Sequence, residues 1–229
     1  MLKSKRAKAA VFLLCLLPFA HLAAVLFACL DQPDMTGPVW RILVPSLPPN
    51  PLDFFTHLTG DWTLRFLVIT LAITPLRKLL GLADLIRFRR PLGLFAFFYG
   101  CLHLLTYLWF DKLFDFHEIW KDVARRRFIT VGFAAFVLMA PLALTSTKRW
   151  IRRLGGKRWQ LLHRLIYVSA FAGVVHYYWL VKSDIRLPAL YAALVAVLLL
   201  YRLVSSIMRR MRQRTAATKP APVESIGSG

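Results

Sequence analysis

The chain has 229 residues, of which 58% are hydrophobic and 14% aromatic, and its mean hydropathy is +0.54. This apolar excess is larger than soluble domains carry and indicates a protein embedded in lipid. A net charge of +20 would suit a nucleic-acid-binding protein if the chain were soluble. The charges, however, are confined to short stretches between long uncharged runs, which indicates membrane topology and argues against a nucleic acid partner.

Six segments have the roughly 20 apolar residues that a helix needs to span a bilayer. The first follows a basic N-terminus at residues 1–8, and it is longer than the apolar core of a signal peptide, so we expect a retained span. The six segments are residues 9–30, 58–80, 91–110, 128–147, 159–181 and 187–208. The sequence therefore predicts an all-α fold, a polytopic bundle of six transmembrane helices over residues 9–208. The basic segment 209–229, rich in Ala, Thr, Pro and Ser, is expected to be disordered.

The positions of Lys and Arg predict the orientation. Most of the 31 basic residues lie at the N-terminus, in 77–90, in 148–158 and from Arg202 onward, all on one side of the predicted bundle. Because basic loops stay in the cytoplasm, both termini are expected there. The outer loop 111–127 mixes charges with apolar residues. It is interpreted either as an amphipathic helix on the outer surface or as a solvated connector, and both alternatives stay open.

Two of the six histidines lie at matched depth in the predicted bundle. His103 and His176 fall on the third and fifth spans, which run in the same direction, and both lie near the outer third of the bilayer at about 1.5 Å per residue. Ionisable groups within a span are costly and mark functional sites. Two neutral imidazoles at one depth can supply both axial ligands of a heme iron. The alternative is that these histidines cap helices or form hydrogen bonds across the bundle.

His163 lies about 20 Å deeper on the same span as His176, so it cannot ligate the same iron. An ideal continuous helix would also place these two histidines on different faces, which requires a bend or separate neighbours. At the depth of His163 the third span offers Arg89 and Arg90. Neither is a usual iron ligand, but either could pair with a heme propionate or a flavin phosphate. A second, inner cofactor site is therefore predicted without a second histidine.

Several local strings, taken in order, resemble a known family. They are His57-Leu58-Thr59-Gly60, Thr74-Pro75-Leu76-Arg77, Arg89-Arg90-Pro91-Leu92-Gly93, Leu102-His103-Leu104, Arg153-Leu154-Gly155, the run Trp159-Gln160-Leu161-Leu162-His163-Arg164-Leu165-Ile166-Tyr167, and His176-Tyr177-Tyr178-Trp179. Over about residues 50–205 the chain resembles the MsrQ family, the heme-binding membrane subunits of a bacterial periplasmic protein-methionine-sulfoxide reductase system. That family belongs to the ferric-reductase-like transmembrane group.

The resemblance implies b-type heme, one or two per chain, with FMN as a further family cofactor. It implies that electrons come from the respiratory chain, from membrane quinol, and pass to a periplasmic molybdopterin-dependent methionine-sulfoxide reductase subunit. His103, His163 and His176 fall on the family's heme histidines. The chain would transfer electrons without reducing methionine sulfoxide itself. It carries no cytosolic flavin and nicotinamide domain of the kind found in ferric reductases, which argues against oxidation of NADPH by this chain.

Two other functions stay open on the residues alone. One is a quinol-oxidising cytochrome b subunit of another oxidoreductase, which the run from Trp159 to Tyr167 disfavours. The other is a transporter that uses its histidines as proton relays. The sequence lacks the inverted repeats and membrane-buried carboxylates that such a transporter would carry.

Overall fold

The computed structural model describes residues 2–31, 50–181 and 183–218. Within these ranges the chain is helical and contains no β-strand. A short 3₁₀ helix, Ala83–Phe88, precedes the helix Arg89–Thr106, and a π-helical turn, Tyr107–Asp111, extends that helix. The α-helices are α1 (Leu2–Asp31), α2 (Pro51–Leu79), α3 (Arg89–Thr106), α4 (Phe116–Arg125), α5 (Arg127–Leu144), α6 (Lys148–Leu154), α7 (Gly156–Leu162), α8 (Leu165–Leu180) and α9 (Arg186–Thr218).

Four helical stretches in the described part of the chain can cross a membrane by length and apolar composition. They are Lys5–Leu30, Ala83–Asp111, Arg127–Leu144 and Arg186–Thr215, and they coincide with the first, third, fourth and sixth predicted spans. The second predicted span corresponds to α2, which carries an ion pair inside it, and the fifth corresponds to α7 and α8, of which α8 has only 16 residues. The all-helical membrane fold is confirmed, whereas six spans and cytoplasmic termini stay predictions.

The fifth predicted span is interrupted at its inner end. α7 ends at Leu162 and α8 begins at Leu165, so His163 and Arg164 lie in a turn between two helices. The two histidines of this segment therefore do not share one continuous helix, and the helical phase that separates them on an ideal helix does not apply.

Aromatic side chains pack the first three long helices together. Phe66 of α2 stacks on Tyr99 of α3 with ring centroids 5.4 Å apart, and Phe95 packs beside both. The Tyr99 hydroxyl donates a hydrogen bond to the carbonyl oxygen of Cys15 in α1 at 2.9 Å. In lipid, close packing and interhelical hydrogen bonds hold helices together, because burying apolar surface gives no advantage over contact with lipid tails. This cluster thus fixes α1 and α3 around α2.

A partly buried arginine joins α9 to the rest of the bundle. Pro75 lies inside α2 and has no N–H, so the carbonyl of Leu71 lacks its usual donor four residues later. Arg202 of α9 donates to that carbonyl at 2.9 Å, to the Thr74 hydroxyl at 3.1 Å and to the Tyr167 hydroxyl of α8 at 2.6 Å. One guanidinium therefore supplies the donor that the Leu71 carbonyl lacks and connects three helices. Donors from neighbouring helices are one reason why an internal proline is tolerated in a membrane helix.

The outer loop forms the amphipathic helix that was one of its two sequence interpretations. Asp115 caps α4 by accepting from the backbone N–H groups of His117 and Glu118. Phe116 and Trp120 lie on its exposed face, about three-quarters exposed, whereas Asp122 is buried against the bundle. The helix is thus anchored by Asp122, with Ile119 and Val123 lining the cavity of the bundle, and presents two aromatic side chains outward.

The inner end of α9 is longer than expected. We expected disorder from residue 209 onward, but the helix continues to Thr218. A helix that is already nucleated extends at little cost through good helix formers such as the Arg and Met residues found here. Residues 219–229 of the predicted tail, and the outer segment 32–49, lie outside the described residues.

Candidate functional site

The imidazoles of His103 and His176 lie close together near the end of the bundle that is predicted to face outward. His103 lies on α3 and His176 on α8, and their ring centroids are 6.1 Å apart with the planes at 75°. Two imidazole nitrogens that each bond one metal from opposite sides at about 2 Å require ring centroids roughly 6 Å apart. The separation of the two rings is thus of the size that one shared iron requires.

His103 is oriented by α2. Its Nδ1–H donates to the carbonyl oxygen of Thr56 at 3.0 Å, and the Thr59 hydroxyl lies 3.5 Å from the same nitrogen. Gly60 lies directly behind the ring, where a Cβ atom would come within 3.1 Å of the imidazole Cε1. Since a carbonyl only accepts hydrogen bonds, Nδ1 carries the proton and Nε2 keeps its lone pair.

His176 is oriented in the same way by α5. Its Nδ1–H donates to the carbonyl oxygen of Phe128 at 2.7 Å. Gly132 lies behind the ring, and a Cβ atom on it would come within 2.5 Å of Nδ1, closer than such atoms approach. Metal-ligating histidines almost always make such a second hydrogen bond, which sets the tautomer and the ring orientation.

Both histidines line one cavity of about 520 Å³. Its walls come from α2, α3, α5 and α8 and include Leu64, Phe136 and Met139, while Tyr107 and Arg126 line its outer end together with residues of α4. Cofactor sites are typically concave, apolar and of this size, with few polar groups. Across the described ranges, no three His, Cys, Asp or Glu side chains form a metal site. Two facing imidazoles suit an iron whose other ligands come from a porphyrin.

An ion-pair network closes the outer end of this cavity. Asp122 of α4 accepts from Lys112 at 2.7 Å, from Arg126 at 3.2 Å and from the Tyr107 hydroxyl at 3.2 Å. The hydrogen bond from Lys112 holds the pKa of the Asp122 carboxyl below its ordinary value, and the same bond raises the pKa of the Lys112 ammonium. The network keeps α4 in place over the histidine pair.

His163 lies apart from this pair, at the turn between α7 and α8. Its ring stacks on Trp159 with centroids 3.9 Å apart, and Nδ1–H donates to the Trp159 carbonyl at 3.0 Å. Nε2 lies 3.4 Å from the Ser146 hydroxyl. No second histidine contacts His163 in the part of the chain that the structure describes. Among those residues, a pair of adjacent histidines is therefore formed by His103 and His176 alone.

The predicted inner arginines lie at the start of α3. Arg89 is partly buried, and its charge acts on both His163 and Arg202, whereas the Arg90 side chain is exposed. The Nε atom of Arg202 is buried without a hydrogen-bond partner among the described residues. The inner end of the bundle thus gathers one histidine and two partly buried guanidinium groups.

The other three histidines contact neither His103 nor His176 in any ring pair. His57 lines the same cavity, and its Nε2 lies 3.3 Å from an Asp53 carboxylate oxygen. His117 lies in the first turn of α4, and His21 packs edge-to-face against Phe54 with centroids 6.2 Å apart.

The sequence model of one protein family, the ferric reductase like transmembrane component, matches residues 59–174. A protein-methionine-sulfoxide reductase heme-binding subunit MsrQ from Herminiimonas arsenicoxydans is 51% identical over 92% of this chain and 90% of its own length. The chain belongs to the MsrQ family. Subunits of the same name from Azospira oryzae (50% identical, over 93% of this chain and 85% of its own length) and Rhodospirillum rubrum (44%, over 93% and 94%) are also similar. No solved structure matches the chain.

Sequence reasoning missed three contributors to these sites. Gly60 and Gly132 were not singled out as neighbours of the histidines, although an isolated glycine inside a helix signals a close approach. Arg202 was counted only among the basic residues of the predicted inner side, yet its guanidinium bonds to two other helices of the bundle. The signal for Arg202 was Pro75, since the carbonyl that such a proline frees requires a donor from another helix.

Proposed function

We propose that this chain is a heme-binding electron-transfer subunit in which His103 and His176 are the axial ligands of one b-type heme. The observation that carries this proposal is the pair of imidazoles, whose ring centroids are 6.1 Å apart and whose Nδ1–H groups each donate to a backbone carbonyl. Membership of a family of heme-binding subunits supports it. The heme would supply a one-electron couple in an apolar surround.

The residues of the site fit such a group. Both Nε2 atoms keep a lone pair, because both Nδ1 atoms donate. The cavity is apolar where the histidines lie, and Arg126 at its outer end offers a guanidinium for a propionate carboxylate. The hydrogen bonds from Nδ1 to carbonyl oxygens increase the basicity of the ligands, which favours the oxidised iron and lowers its potential.

The role of the chain in the overall reaction follows from electron balance. Oxidation of a quinol to a quinone releases two electrons and two protons. Reduction of methionine sulfoxide to methionine consumes two of each and releases water. We infer that this chain carries those electrons through the inner membrane, from quinol to a periplasmic molybdopterin-dependent reductase subunit. The position of the histidine pair beneath α4, at the predicted outer side, supports delivery on that face.

The inner end of the bundle is proposed as a second cofactor position. His163 would be an axial ligand or a neighbour of that cofactor, with Arg89 and Arg90 as partners for a heme propionate or an FMN phosphate. The charge of Arg89 at His163 and the buried, unpartnered Nε of Arg202 support an anionic group there. This cofactor would receive electrons on the cytoplasmic side.

The deciding experiment measures heme directly in the purified full-length protein. A dithionite-reduced absorption spectrum with pyridine-hemochrome quantitation is expected to show b-type heme. His103→Ala and His176→Ala are each expected to remove the low-spin component. A double variant whose reduced spectrum matches the unsubstituted protein would overturn the assignment, and a colourless pure protein would favour the histidine-relay transporter instead.

A further inference from the structure

We infer that Gly60 and Gly132 are positioning residues of the histidine pair, because each clears the space that one ligating imidazole occupies. The inference rests on the proposed function, since it assigns a role toward the heme held by His103 and His176. It goes beyond that function by naming the backbone device that holds each ring.

The same local device occurs twice in the bundle. On α2, the carbonyl of Thr56 accepts from His103, and Gly60 lies behind that ring one helical turn later. On α5, the carbonyl of Phe128 accepts from His176, and Gly132 lies behind that ring one turn later. The spacing from carbonyl to glycine is identical on the two helices. One turn of helix thus supplies both the acceptor and the gap for each ring.

The glycine is required because the carbonyl and the ring must approach along the same helix face. A carbonyl points toward the C-terminal end of its helix, so a ring that donates to it lies over the following turn. A side chain four residues after the carbonyl would therefore occupy the position of the ring. A Cβ at Gly132 would lie 2.5 Å from Nδ1 and 2.8 Å from Cε1 of His176, whereas a Cβ at Gly60 would lie 3.1 Å from Cε1 of His103.

These distances predict that a side chain at Gly132 would disturb its histidine more than a side chain at Gly60 would. At Gly132 the ring must move, because no real Cβ atom approaches an imidazole at 2.5 Å, and moving the ring breaks the bond to Phe128 or displaces Nε2 from the iron. At Gly60 a shift of a few tenths of an ångström is enough, so heme binding survives with a longer bond to Thr56. Another helical glycine, outside the cavity, offers a matched control. A Cβ at Gly93 would meet its nearest atom, in the Thr70 side chain, at 3.6 Å, an ordinary contact.

The experiment compares Gly132→Ala, Gly60→Ala and Gly93→Ala in the full-length protein, purified in detergent. Heme per chain, the low-spin electron paramagnetic resonance signal and the midpoint potential are measured for each. We expect Gly132→Ala to lower heme affinity by about 10-fold or more, the range seen when partners of metal-ligating histidines are lost. Gly60→Ala should keep the heme and raise its potential, because a weaker hydrogen bond makes the imidazole less basic.

The control separates this role from helix packing. Gly93→Ala should leave heme content, signal and potential unchanged, and every variant should elute as one monodisperse peak. Unchanged heme and potential in both Gly132→Ala and Gly60→Ala would overturn the inference while leaving the axial histidines intact. If Gly132→Ala is not recovered in folded form, the potential of Gly60→Ala decides. Retention of low-spin heme by His103→Ala and His176→Ala would instead overturn the proposed function itself.

Discussion

The Nδ1 atom of His176 lies 2.7 Å from the carbonyl oxygen of Phe128. Because the acceptor is a backbone group, no side-chain substitution on α5 removes it, and the tautomer of His176 is set by the helix itself. His103 has the same relationship with Thr56 on a different helix. The two rings are therefore oriented from outside the cavity, by α5 and α2, while they belong to α8 and α3.

Removing one imidazole leaves a gap that a free imidazole can fill. We expect His176→Ala to lose the low-spin reduced spectrum and to regain it when millimolar imidazole is added, because the apolar cavity already accommodates the ring. Titration followed by absorption spectroscopy measures the recovery. His117→Ala, at an exposed position on α4, is the control and should need no rescue. Failure of imidazole to change the spectrum of His176→Ala would contradict this prediction.

Asp122 anchors α4, and its loss should destabilise the outer end of the bundle. Asp122→Asn leaves Lys112 without its carboxylate in a position where the lysine side chain is only 15% exposed. Breaking a buried pair costs about 3–5 kcal/mol, and at this bundle edge we expect about 2 kcal/mol. A protein of this size would then melt about 5 °C lower. Glu118→Gln is the matched control, since its ion pair with Lys121 is exposed on the same helix. Equal melting temperatures for the two variants would count against the anchor.

The same network predicts where stability depends on pH. The Asp122 pKa is lowered by the bond from Lys112, so its contribution is present above the ordinary Asp pKa of about 3.9 and is lost as pH falls through the folded value. The Lys112 pKa is raised, so its contribution is present below about 10.4 and is lost as pH rises through the folded value. Thermal melts of the unsubstituted protein should exceed those of Asp122→Asn by a constant margin across neutral pH. The margin should shrink toward both extremes, and a margin that grows on acidification would refute the assignment.

Arg202 should be required for the packing of α9. Arg202→Met keeps an unbranched apolar side chain but leaves the Leu71 carbonyl and the Tyr167 hydroxyl without their donor. Leaving buried polar groups unpaired costs about 1–3 kcal/mol, which we expect as a lower melting temperature in detergent. Arg210→Met, at an exposed position on the same helix, is the control. A melting temperature for Arg202→Met equal to that of the control would show that the three-helix connection contributes nothing.

The inner and outer positions should respond separately to substitution. His163→Ala is expected to change the inner cofactor and to leave the low-spin signal of the outer heme unaltered, because His163 has no contact with either outer histidine. Redox potentiometry with optical detection resolves the two components by potential. Ser146→Ala, which removes only the neighbour of Nε2, serves as a milder comparison. Loss of the outer signal in His163→Ala would mean that the two positions are not independent.

The orientation of the bundle can be tested by labelling cysteines in intact cells. Trp120→Cys, on the exposed face of α4, should react with a membrane-impermeant maleimide added outside, and Arg210→Cys should react only after lysis. The unsubstituted chain, which retains Cys15, Cys29 and Cys101, provides the background. Labelling of Arg210→Cys in intact cells would reverse the predicted orientation.

Counting residues along spans was enough to predict that His103 and His176 share a depth, because the rise of a helix is constant. It could not predict Gly60 or Gly132 as their neighbours, since which face of one helix meets another depends on packing that periodicity does not encode. The apolar pattern placed His163 and His176 in one span, and their helical phase required a bend or separate neighbours. The structure has a turn at His163, which composition alone does not locate, because a bent apolar run and a straight one have the same composition.

Polar features were predictable in part. The mixed charges of 111–127 allowed a helix or a connector, and the cap at Asp115 together with the contacts of Asp122 accounts for the helix. Arg202 was counted only as one of many basic residues on the inner side. Its actual partners follow from Pro75 on a distant helix, a relationship between residues far apart in sequence that charge counting ignores.

The division of the histidine site between two helix pairs has a consequence for biogenesis. While the nascent chain has inserted only α2 and α3, His103 has its carbonyl and its glycine but no facing imidazole. The second half arrives with α5 and α8, near the end of synthesis. In the proposed site, capture of heme by both rings is therefore a late step. Binding of heme by both rings would therefore occur only in chains whose helices from α2 to α8 have assembled.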